Sequence, residues 1–470
     1  MIDNSEFKPF PMPIPLKKIL GPSFIILALG LGSGEVILWP FLSSNFGLGI
    51  AWGALLGITF QYFINMEIER YALVKGESVF VGLNKLLRGA AYWFILSTFI
   101  GFGLPGIIAA SAQVLASVLG IENFKWIAIA FLILIGLVLS FGKKVYDLME
   151  DITKTIIFLG IPFIVILAVI LSRGVDWLAL GQGLAGIGTN YHFLPAGINL
   201  ATFLAAFAYA GAGGNLNLTQ SIYIKEKGYG MGQYSQKISG LFKNIKERQH
   251  IELEGQAFEL TESNIKNFKA WWKKISLEHL LIFWFLGLLG ICVLMILAFS
   301  TTFGLSNNPT GINFVINEGL IIGQKLLPWI GTLFLVVVAV MLFQTQLGIL
   351  DSTSRIMAEN FALKKIQKNG KKEINLSKIY FTFVWAQIAF GVVLFLLNIS
   401  EPRSLIVTGA VINAVAMFVH VGLVNWMNHK LLPQVFWPGR IRQLIIIIIF
   451  LFFGGFSAIT LWDSILSKIF

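Results

Sequence analysis

Charged residues are scarce in this sequence. Only 13% of its 470 residues are charged, and 56% are hydrophobic, with a mean hydropathy of +0.78. A soluble protein has about 25% charged residues, so this composition excludes an ordinary soluble globule and predicts a membrane protein. The single cysteine, Cys292, excludes a disulfide framework and a cysteine-based metal cluster, and we expect a buried apolar role for it.

Several functional motifs are also missing. There is no Walker A motif, and the two Gly-x-Gly-x-x-Gly matches at Gly101 and Gly181 neither follow a strand nor open a helix. The five histidines lack the spacing of metal ligands. We therefore expect no enzyme, no nucleic-acid partner, and no cofactor other than a coupling ion, H⁺ or Na⁺.

Long apolar runs dominate what is present. A helix needs roughly 20 apolar residues to cross a bilayer, and eleven segments meet this length: about 19–45, 47–71, 92–119, 124–141, 153–173, 197–224, 277–303, 325–350, 378–398, 404–428 and 442–462. With the N-terminus inside, 30 of the 35 basic residues fall on the inner side, as the positive-inside rule requires. The sequence predicts a multi-pass protein of the cell membrane, the inner membrane of a bacterium, with its C-terminus outside.

Two irregular stretches interrupt this apolar pattern. The first span contains Gly30–Glu35 (GLGSGE), and the sixth contains Tyr209–Gln220 (YAGAGGNLNLTQ). Unpaired backbone groups are costly within a membrane, so such breaks persist mainly where they line a site. Helix packing through small residues explains the glycines, but it does not explain Glu35 or the nearby amides.

The two breaks begin two sets of five spans, which predicts a five-plus-five inverted repeat with an added eleventh helix. The expected divisions are a cytoplasmic segment (1–18), a first repeat (19–173), an outer loop (174–196), a second repeat (197–428), and a last helix with the C-terminus (429–470). The inner loop 225–276, part of the second repeat, is interpreted either as a solvated linker or as a segment along the membrane surface.

The stretch GPSFIILALGLGSGEVILWP resembles the first helix of the Nramp (natural resistance-associated macrophage protein) family. The resemblance continues through GKKVYDLMEDITK, GGNLNLTQS, QTQLGILDSTSRIMAENFAL and NWMNHKLLP, and so covers nearly the whole chain. It implies an all-α, LeuT-type inverted repeat with broken helices 1 and 6. The usual activity of the family is proton-coupled symport of divalent metals such as manganese and iron.

The residues that bind metal in that family are replaced here. Its Asp-Pro-Gly-Asn motif falls on Gly32–Glu35, and its Met-Pro-His-Asn motif falls on Ala212–Asn215. The aspartate thus becomes Gly32, the thioether becomes Ala212, and no acid occurs in the third span. Carboxylate and carbonyl oxygens suit hard cations, and one carboxylate with amides and hydroxyls does not select manganese or iron, so the sequence predicts a branch with altered cargo.

The candidate binding set contains residues at both breaks: Gly32, Ser33, Glu35, Ala212, Gly214, Asn215, Asn217, Thr219 and Gln220. Glu35 is also the candidate for proton or ion coupling and for a metal ligand. Its alternative role is to cap the second half of the broken helix. Candidates for a gate or a pathway are Glu67, Arg70, Gln113, Gln344, Gln346, Asp351, Arg355 and His420. The charged pairs among them are equally consistent with interfacial ion pairs.

The sequence therefore predicts a secondary transporter working by alternating access. Its expected cargo is a hard or hydrated cation such as magnesium, calcium or sodium, or a small polar organic solute. The alternatives are divalent-metal and proton symport with altered ligands, and a membrane sensor that does not transport. The lipid bilayer and the cargo are the expected partners, and the expected state is a monomer.

Overall fold

The computed structural model describes residues 7–15, 19–141, 145–235, 253–305, 308–369 and 374–464. Their regular structure is almost entirely α-helical, with a two-residue β-hairpin of β1 (Ile187–Gly188) and β2 (Tyr191–His192). The helices of the first half are α1 (Pro22–Gly30), α2 (Trp39–Phe46), α3 (Ala51–Lys75), α4 (Val79–Leu86), α5 (Ala90–Phe102), α6 (Gly106–Leu119), α7 (Lys125–Phe141), α8 (Val145–Leu171) and α9 (Gly174–Leu184). Those of the second half are α10 (Leu200–Ala208), α11 (Thr219–Lys227), α12 (Glu262–His279), α13 (Leu286–Thr302), α14 (Ile312–Lys325), α15 (Pro328–Asn369), α16 (Leu376–Leu396), α17 (Pro402–Leu431) and α18 (Arg440–Ser464).

Eight stretches of the described residues are long and apolar enough to cross a membrane: Leu48–Lys75, Ala90–Leu119, Val145–Leu171, Glu262–Thr302, Pro328–Lys368, Leu376–Leu396, Ser404–Leu431 and Arg440–Ile459. A ninth arises if the bent pair at the first predicted span is counted as one. The remaining two of the eleven predicted spans are α7, which has 17 residues, and the pair α10 and α11, each with nine. The prediction of an all-α multi-pass membrane protein is confirmed.

The first predicted span is broken where the sequence indicated. Helix α1 ends at Gly30, a π turn covers Ser33–Leu38, and α2 follows directly. The two halves of the span bend by 44° at this point. The π turn places Glu35 one turn after the end of α1.

The sixth predicted span is broken in the same manner. Helix α10 ends at Ala208, a 3₁₀ turn covers Gly214–Leu218, and α11 continues the span. Between them Gly211 and Gly213 have φ angles of 122° and 71°. An L side chain is strained in this region, so the break depends on glycine at these positions.

Several loops of the sequence prediction contain helices. The outer loop 174–196 contains α9, and residues 262–276 of the predicted inner loop form most of α12. These helices were missed because a search for long apolar runs does not detect short or amphipathic helices. Within the third predicted span, Pro105 separates α5 from α6, since proline cannot donate a helical hydrogen bond.

The two breaks touch each other. A Cβ atom placed on Gly30 would lie 2.7 Å from Cα of Gly211, and one placed on Gly34 would lie 2.6 Å from Cβ of Tyr209. Real Cβ atoms are not found at such distances. Glycine in the first break therefore allows the backbone of the second to approach it directly.

Replacing Gly30 with alanine should separate the two breaks. The added methyl group meets backbone atoms of Gly211, and we expect a loss of about 1–3 kcal/mol, as for other overpacked sites. Thermal unfolding of the purified protein measures the change. Gly89→Ala is the matched control, because no atom lies within 4 Å of its added Cβ. An equal melting temperature for the two variants would contradict the close contact.

Candidate functional site

Glu35 lies at the meeting point of the two breaks. It is fully buried, and neither carboxylate oxygen has a hydrogen-bond partner among the described residues. One oxygen lies 3.1 Å from the Cβ position of Gly30, and the other lies 4.0 Å from that of Gly290 on α13. A buried carboxylate without a partner is costly. Glu35 also makes no capping hydrogen bond with a described residue. Its alternative predicted role, which is to cap the second half of the broken helix, is therefore supported by no contact among these residues.

The backbone at the second break is held by Gln61 of α3. Its amide nitrogen donates to the carbonyl of Ala208 at 3.0 Å, and its amide oxygen accepts from the N–H of Gly213 at 2.9 Å. One side chain thus pairs polar groups on both sides of the unwound segment. Gln61 was missed in the sequence, where it is one polar residue in an apolar span.

Thr345 of α15 has the same role at the first break. Its hydroxyl lies 3.0 Å from the carbonyl oxygen of Ala28 and 3.1 Å from that of Leu31, so one proton is shared between two backbone acceptors. A Cβ on Gly32 would lie 2.6 Å from the methyl group of Thr345. Gly32 therefore faces α15, and the room left by its missing side chain is occupied.

The predicted amides of the second break point away from Glu35. Asn215 donates to Ser97 at 2.8 Å and to Thr98 at 3.0 Å, both on α5. Gln220 donates to Glu69 of α3 at 2.7 Å. The structure thus does not gather these amides around the carboxylate.

The other predicted residues of the second break have varied surroundings. Thr219 bonds within its own turn, to the carbonyl of Leu216 at 2.5 Å. Gly214 has a φ of 52° and lies against Asn413 of α17. Ala212 is buried, and the side-chain amide of Asn217 is buried with no hydrogen-bond partner among the described residues. The side chain of Ser33 lies outside the described part of the structure.

A small cavity lies beside the second break. It has a volume of about 20 Å³, and its lining includes Tyr209, Gly101 and the predicted pathway residue Gln346. Asn413 borders this region, donating to the carbonyl of Gly101 and to the hydroxyl of Tyr209, both at 3.0 Å. Such a volume admits about one water molecule.

A buried polar network that the sequence did not reveal joins four helices. Ser23 of α1 donates to Glu278 and lies 2.8 Å from Nδ1 of His279, both on α12. The same nitrogen lies 3.2 Å from Glu69 of α3, which also accepts from Gln220 of α11. Nδ1 of His279 thus lies within hydrogen-bonding distance of both Ser23 and Glu69. The network ties α1 and α11, the halves of the two broken spans, to α3 and α12.

The predicted pair of Asp351 and Arg355 is present and belongs to a larger cluster. Arg355 contacts Asp351 at 2.8 Å and Glu226 of α11 at 2.6 Å. Tyr223 and Tyr380 donate to Asp351 at 3.2 and 2.6 Å. The ion pair with Glu226 joins α11 to α15, which is the connection expected of a gate.

The second predicted pair is also present. Arg70 contacts Glu67 at 2.7 Å, and Arg442 of α18 reaches the same carboxylate at 3.3 Å. Arg442 therefore joins α18 to the end of α3, whereas the pair of Arg70 and Glu67 lies within α3.

The remaining pathway candidates connect neighbouring helices. Gln113 donates to Asn313 of α14 at 2.8 Å, and Gln344 donates to Thr153 of α8 at 3.2 Å. His420 is fully buried in α17. The contacts of the two glutamines are of the kind that pack helices together.

Helix α14 packs against the turn that carries Glu35. It packs against α15, α6 and α13 as well, and its Phe314 meets Phe41 edge-to-face at 5.9 Å. It also holds a buried carboxyl, Glu318. Burial raises the pKa of Glu318 to about 8, so this group carries a proton at neutral pH.

The donor set does not form a transition-metal centre. Among residues 7–464 as far as they are described, no group of three or more His, Cys, Asp and Glu side chains could hold a metal ion. Glu35 contributes the one carboxylate at the breaks. The arrangement can hold a cationic group or a proton by one charge.

Comparison with known proteins supports the architecture. No protein-family model and no curated protein sequence matches the chain. A crystal structure of a point mutant of the manganese transporter of Eremococcus coleocola matches 95% of this chain and 88% of its own, with a TM-score of 0.67 and 13% identity. The same transporter in complex with an aromatic bis-isothiourea substituted compound matches 96% of this chain and 89% of its own, with a TM-score of 0.66 and 13% identity.

The chain has the LeuT-type fold. The predicted five-plus-five repeat with broken helices 1 and 6 and an added eleventh helix is thereby confirmed. The resemblance to the Nramp family drawn from the sequence is confirmed at the level of the fold. At 13% identity the comparison does not extend to the ligands at the site.

Replacing Gln61 with leucine should destabilise the second break. The change leaves the N–H of Gly213 and the carbonyl of Ala208 unpaired, at about 1–3 kcal/mol for each group. Thermal unfolding measures the loss. The control Gln367→Leu alters an exposed glutamine and should change stability by less than about 0.5 kcal/mol. Equal effects of the two changes would show that Gln61 does not support the break.

Glu318 should make stability depend on pH. Between its ordinary pKa of 4.5 and about 8, the folded protein keeps a proton that the unfolded chain has lost. The free energy of unfolding therefore falls as pH rises through this window, by at most about 1.4 kcal/mol per pH unit. Glu318→Gln removes this contribution. The melting temperature of the variant, relative to that of the wild type, should therefore rise between pH 4.5 and pH 8. Glu122→Gln alters an exposed carboxylate and is the control; parallel curves for all three proteins would contradict the prediction.

Proposed function

We propose that this chain is a secondary transporter that moves a small solute or a cation across the membrane by alternating access. The observation that carries the proposal is the pairing of two broken helices around an unpartnered buried carboxylate, Glu35. Broken helices expose carbonyl groups and helix ends that bind ions and polar solutes at the middle of transporters. The fold shared with a manganese transporter supports the same function.

The cargo we propose carries a positive charge or a polar group that faces Glu35. One class is a hard or hydrated cation, such as magnesium, calcium or sodium, since these ions accept carboxylate and carbonyl oxygens. The other class is a small polar organic solute. Gly32 and Gly214 stand where the related family has larger side chains. Thr345 and Asn413 occupy the space that these glycines leave, so the two positions do not favour the larger class of cargo over the cation.

Glu35 is the proposed coupling group. It has no ionic partner among the described residues, and an ionised carboxylate left alone in an apolar interior is strongly disfavoured. It must therefore hold either a proton or the positive charge of the cargo. Intramembrane carboxylates of this kind commonly form part of proton pathways.

Manganese transport with altered ligands is the second candidate. It is favoured by the likeness to the manganese transporter of Eremococcus coleocola. The donor set argues against it, because soft thioether or imidazole ligands are replaced by Ala212 and Gly214. A sensor that binds the same ligand without moving it is the third.

Transport assays with Glu35→Gln test the proposal. Purified protein in liposomes is given manganese, magnesium, calcium and sodium, and thermal shifts are recorded with amino acids, nucleobases and organic acids. We expect flux or binding for one of the two proposed classes. Glu35→Gln should lower it at least about tenfold, because a hydrogen bond to a charged group contributes about 1.5–3 kcal/mol.

Glu122→Gln, at an exposed position, is the matched control and should transport like the wild type. Robust manganese flux that depends on Glu35 would favour the second candidate. Binding without flux would favour the sensor. Flux that is unchanged in Glu35→Gln would remove this carboxylate from the site.

A further inference from the structure

A groove of about 850 Å³ lies at the end of α18, apart from the two breaks. Its lining comes from α3, α12 and the start of α18 and consists of arginines, aromatic rings and aliphatic residues: Phe63, Arg70, Trp272, Trp437, Arg440, Arg442 and Ile445 among them. The proposed transport mechanism uses none of these residues as cargo ligands. The groove therefore needs its own explanation.

The groove has an excess of positive charge. It is lined by Arg70, Arg440 and Arg442, while the carboxylate held by Arg70 and Arg442 is that of Glu67. Three guanidinium groups and one carboxylate give a net charge of +2 in this region. Like charges at close range repel one another, so an anion in the groove would stabilise it.

The arginines differ in how far their donors are used. Arg70 is buried, bonds Glu67 through Nε and Nη2, and donates through Nη1 to the carbonyl of Phe436 at 3.1 Å. Arg442 uses Nη1 for Glu67, and its side chain is 20% exposed. Arg440 is exposed and makes no hydrogen bond or ion pair with the described residues. Arg440 and Arg442 thus keep most of their donors for a ligand, whereas Arg70 is buried and uses three of its five N–H groups.

Aromatic rings hold two of these guanidinium groups. The guanidinium carbon of Arg70 lies 4.0 Å from the ring centroid of Trp272, and that of Arg442 lies 5.3 Å from the same centroid. Arg442 also lies 5.1 Å from the ring of Phe63. These contacts limit the motion of the guanidinium fork, whose geometry matches phosphate oxygens.

The surroundings of the groove are those of a membrane interface. Helix α18 begins at Arg440 and is apolar enough to span a membrane. Ile441 and Leu444, next to the arginines, are 79% and 58% exposed, and Trp437 is 38% exposed. Exposed tryptophan beside arginine at the end of a span is typical of the headgroup region. The positive-inside rule places this end on the cytoplasmic side.

We propose that the groove binds an anionic phospholipid, with the headgroup phosphate at Arg440 and Arg442 and an acyl chain along Ile441, Leu444 and Ile445. Charge complementarity selects an anion, and the exposed aliphatic side chains select a lipid over a soluble phosphate. Basic pockets between helices at the cytoplasmic side are suited to such headgroups. The lipid would bridge α18 to α3 and α12.

Lipid nanodiscs test this proposal on the full-length protein. Wild type, Arg440→Gln, and the double variant Arg440→Gln with Arg442→Gln are placed in phosphatidylcholine with or without phosphatidylglycerol. Native mass spectrometry counts retained lipids, and thermal unfolding reports stabilisation. Phosphatidylglycerol should raise the melting temperature of the wild type. Each arginine removed should lower the affinity for this lipid roughly fivefold.

Arg88→Gln is the matched control, because Arg88 is exposed, lies on the same predicted side and is remote in sequence from the groove. It should retain phosphatidylglycerol like the wild type. Arg440→Gln leaves the pair of Arg442 and Glu67 intact, so it decides the question if the double variant does not fold. Equal phosphatidylglycerol binding by wild type and Arg440→Gln would overturn the proposal. Inorganic phosphate giving the same stabilisation in phosphatidylcholine alone would also overturn it, by assigning the groove to a soluble anion.

Discussion

The structure depends on one constraint: backbone groups released by a broken helix must be paired where no water is available. Two side chains from neighbouring spans pair these backbone groups. Gln61 pairs a donor and an acceptor across the second break, and Thr345 pairs two carbonyl groups at the first. Each broken span is thus fixed by a span that is not broken. Only with these backbones held can a carboxylate such as Glu35 lie between them at a defined position.

Two kinds of contact are made by α1 and α11, which are halves of the two broken spans. The network of Ser23, Glu69 and His279 ties α1 to α3 and α12 and, through Gln220, also to α11. The ion pair of Arg355 with Glu226 ties α11 to α15 instead. In the proposed alternating access, one group of helices rocks against another. The first network then moves as a unit, and the contacts of α1 and α11 with α15 must open. They include this ion pair, the pair of Lys225 with Glu359, and the hydrogen bonds of Thr345.

The sequence predicted what depends on long patterns. Apolar length revealed the spans, and runs of glycine beside Glu35 and the Asn215 amides revealed both breaks. It did not predict Gln61, Thr345 or His279, because a lone polar residue in an apolar span has the same local pattern whether it pairs a break or packs a helix. It also grouped Asn215 and Gln220 with Glu35, although they bond to α5 and α3. Residues that are neighbours in the sequence point in different directions once the backbone unwinds. The direction of each side chain therefore does not follow from a sequence pattern.

In the proposed function, the single charge at Glu35 also links the class of cargo to the direction of proton movement. A carboxylate buried at this position must be neutralised by a proton or by a cation, and one group does not hold both at once. A cationic cargo therefore displaces the proton, which then moves against the cargo. A neutral polar solute can instead accept a hydrogen bond from protonated Glu35, and the proton then moves with it. The two proposed classes of cargo thus imply exchange and symport respectively, and a chain with one carboxylate at its breaks is suited to one of them rather than to both.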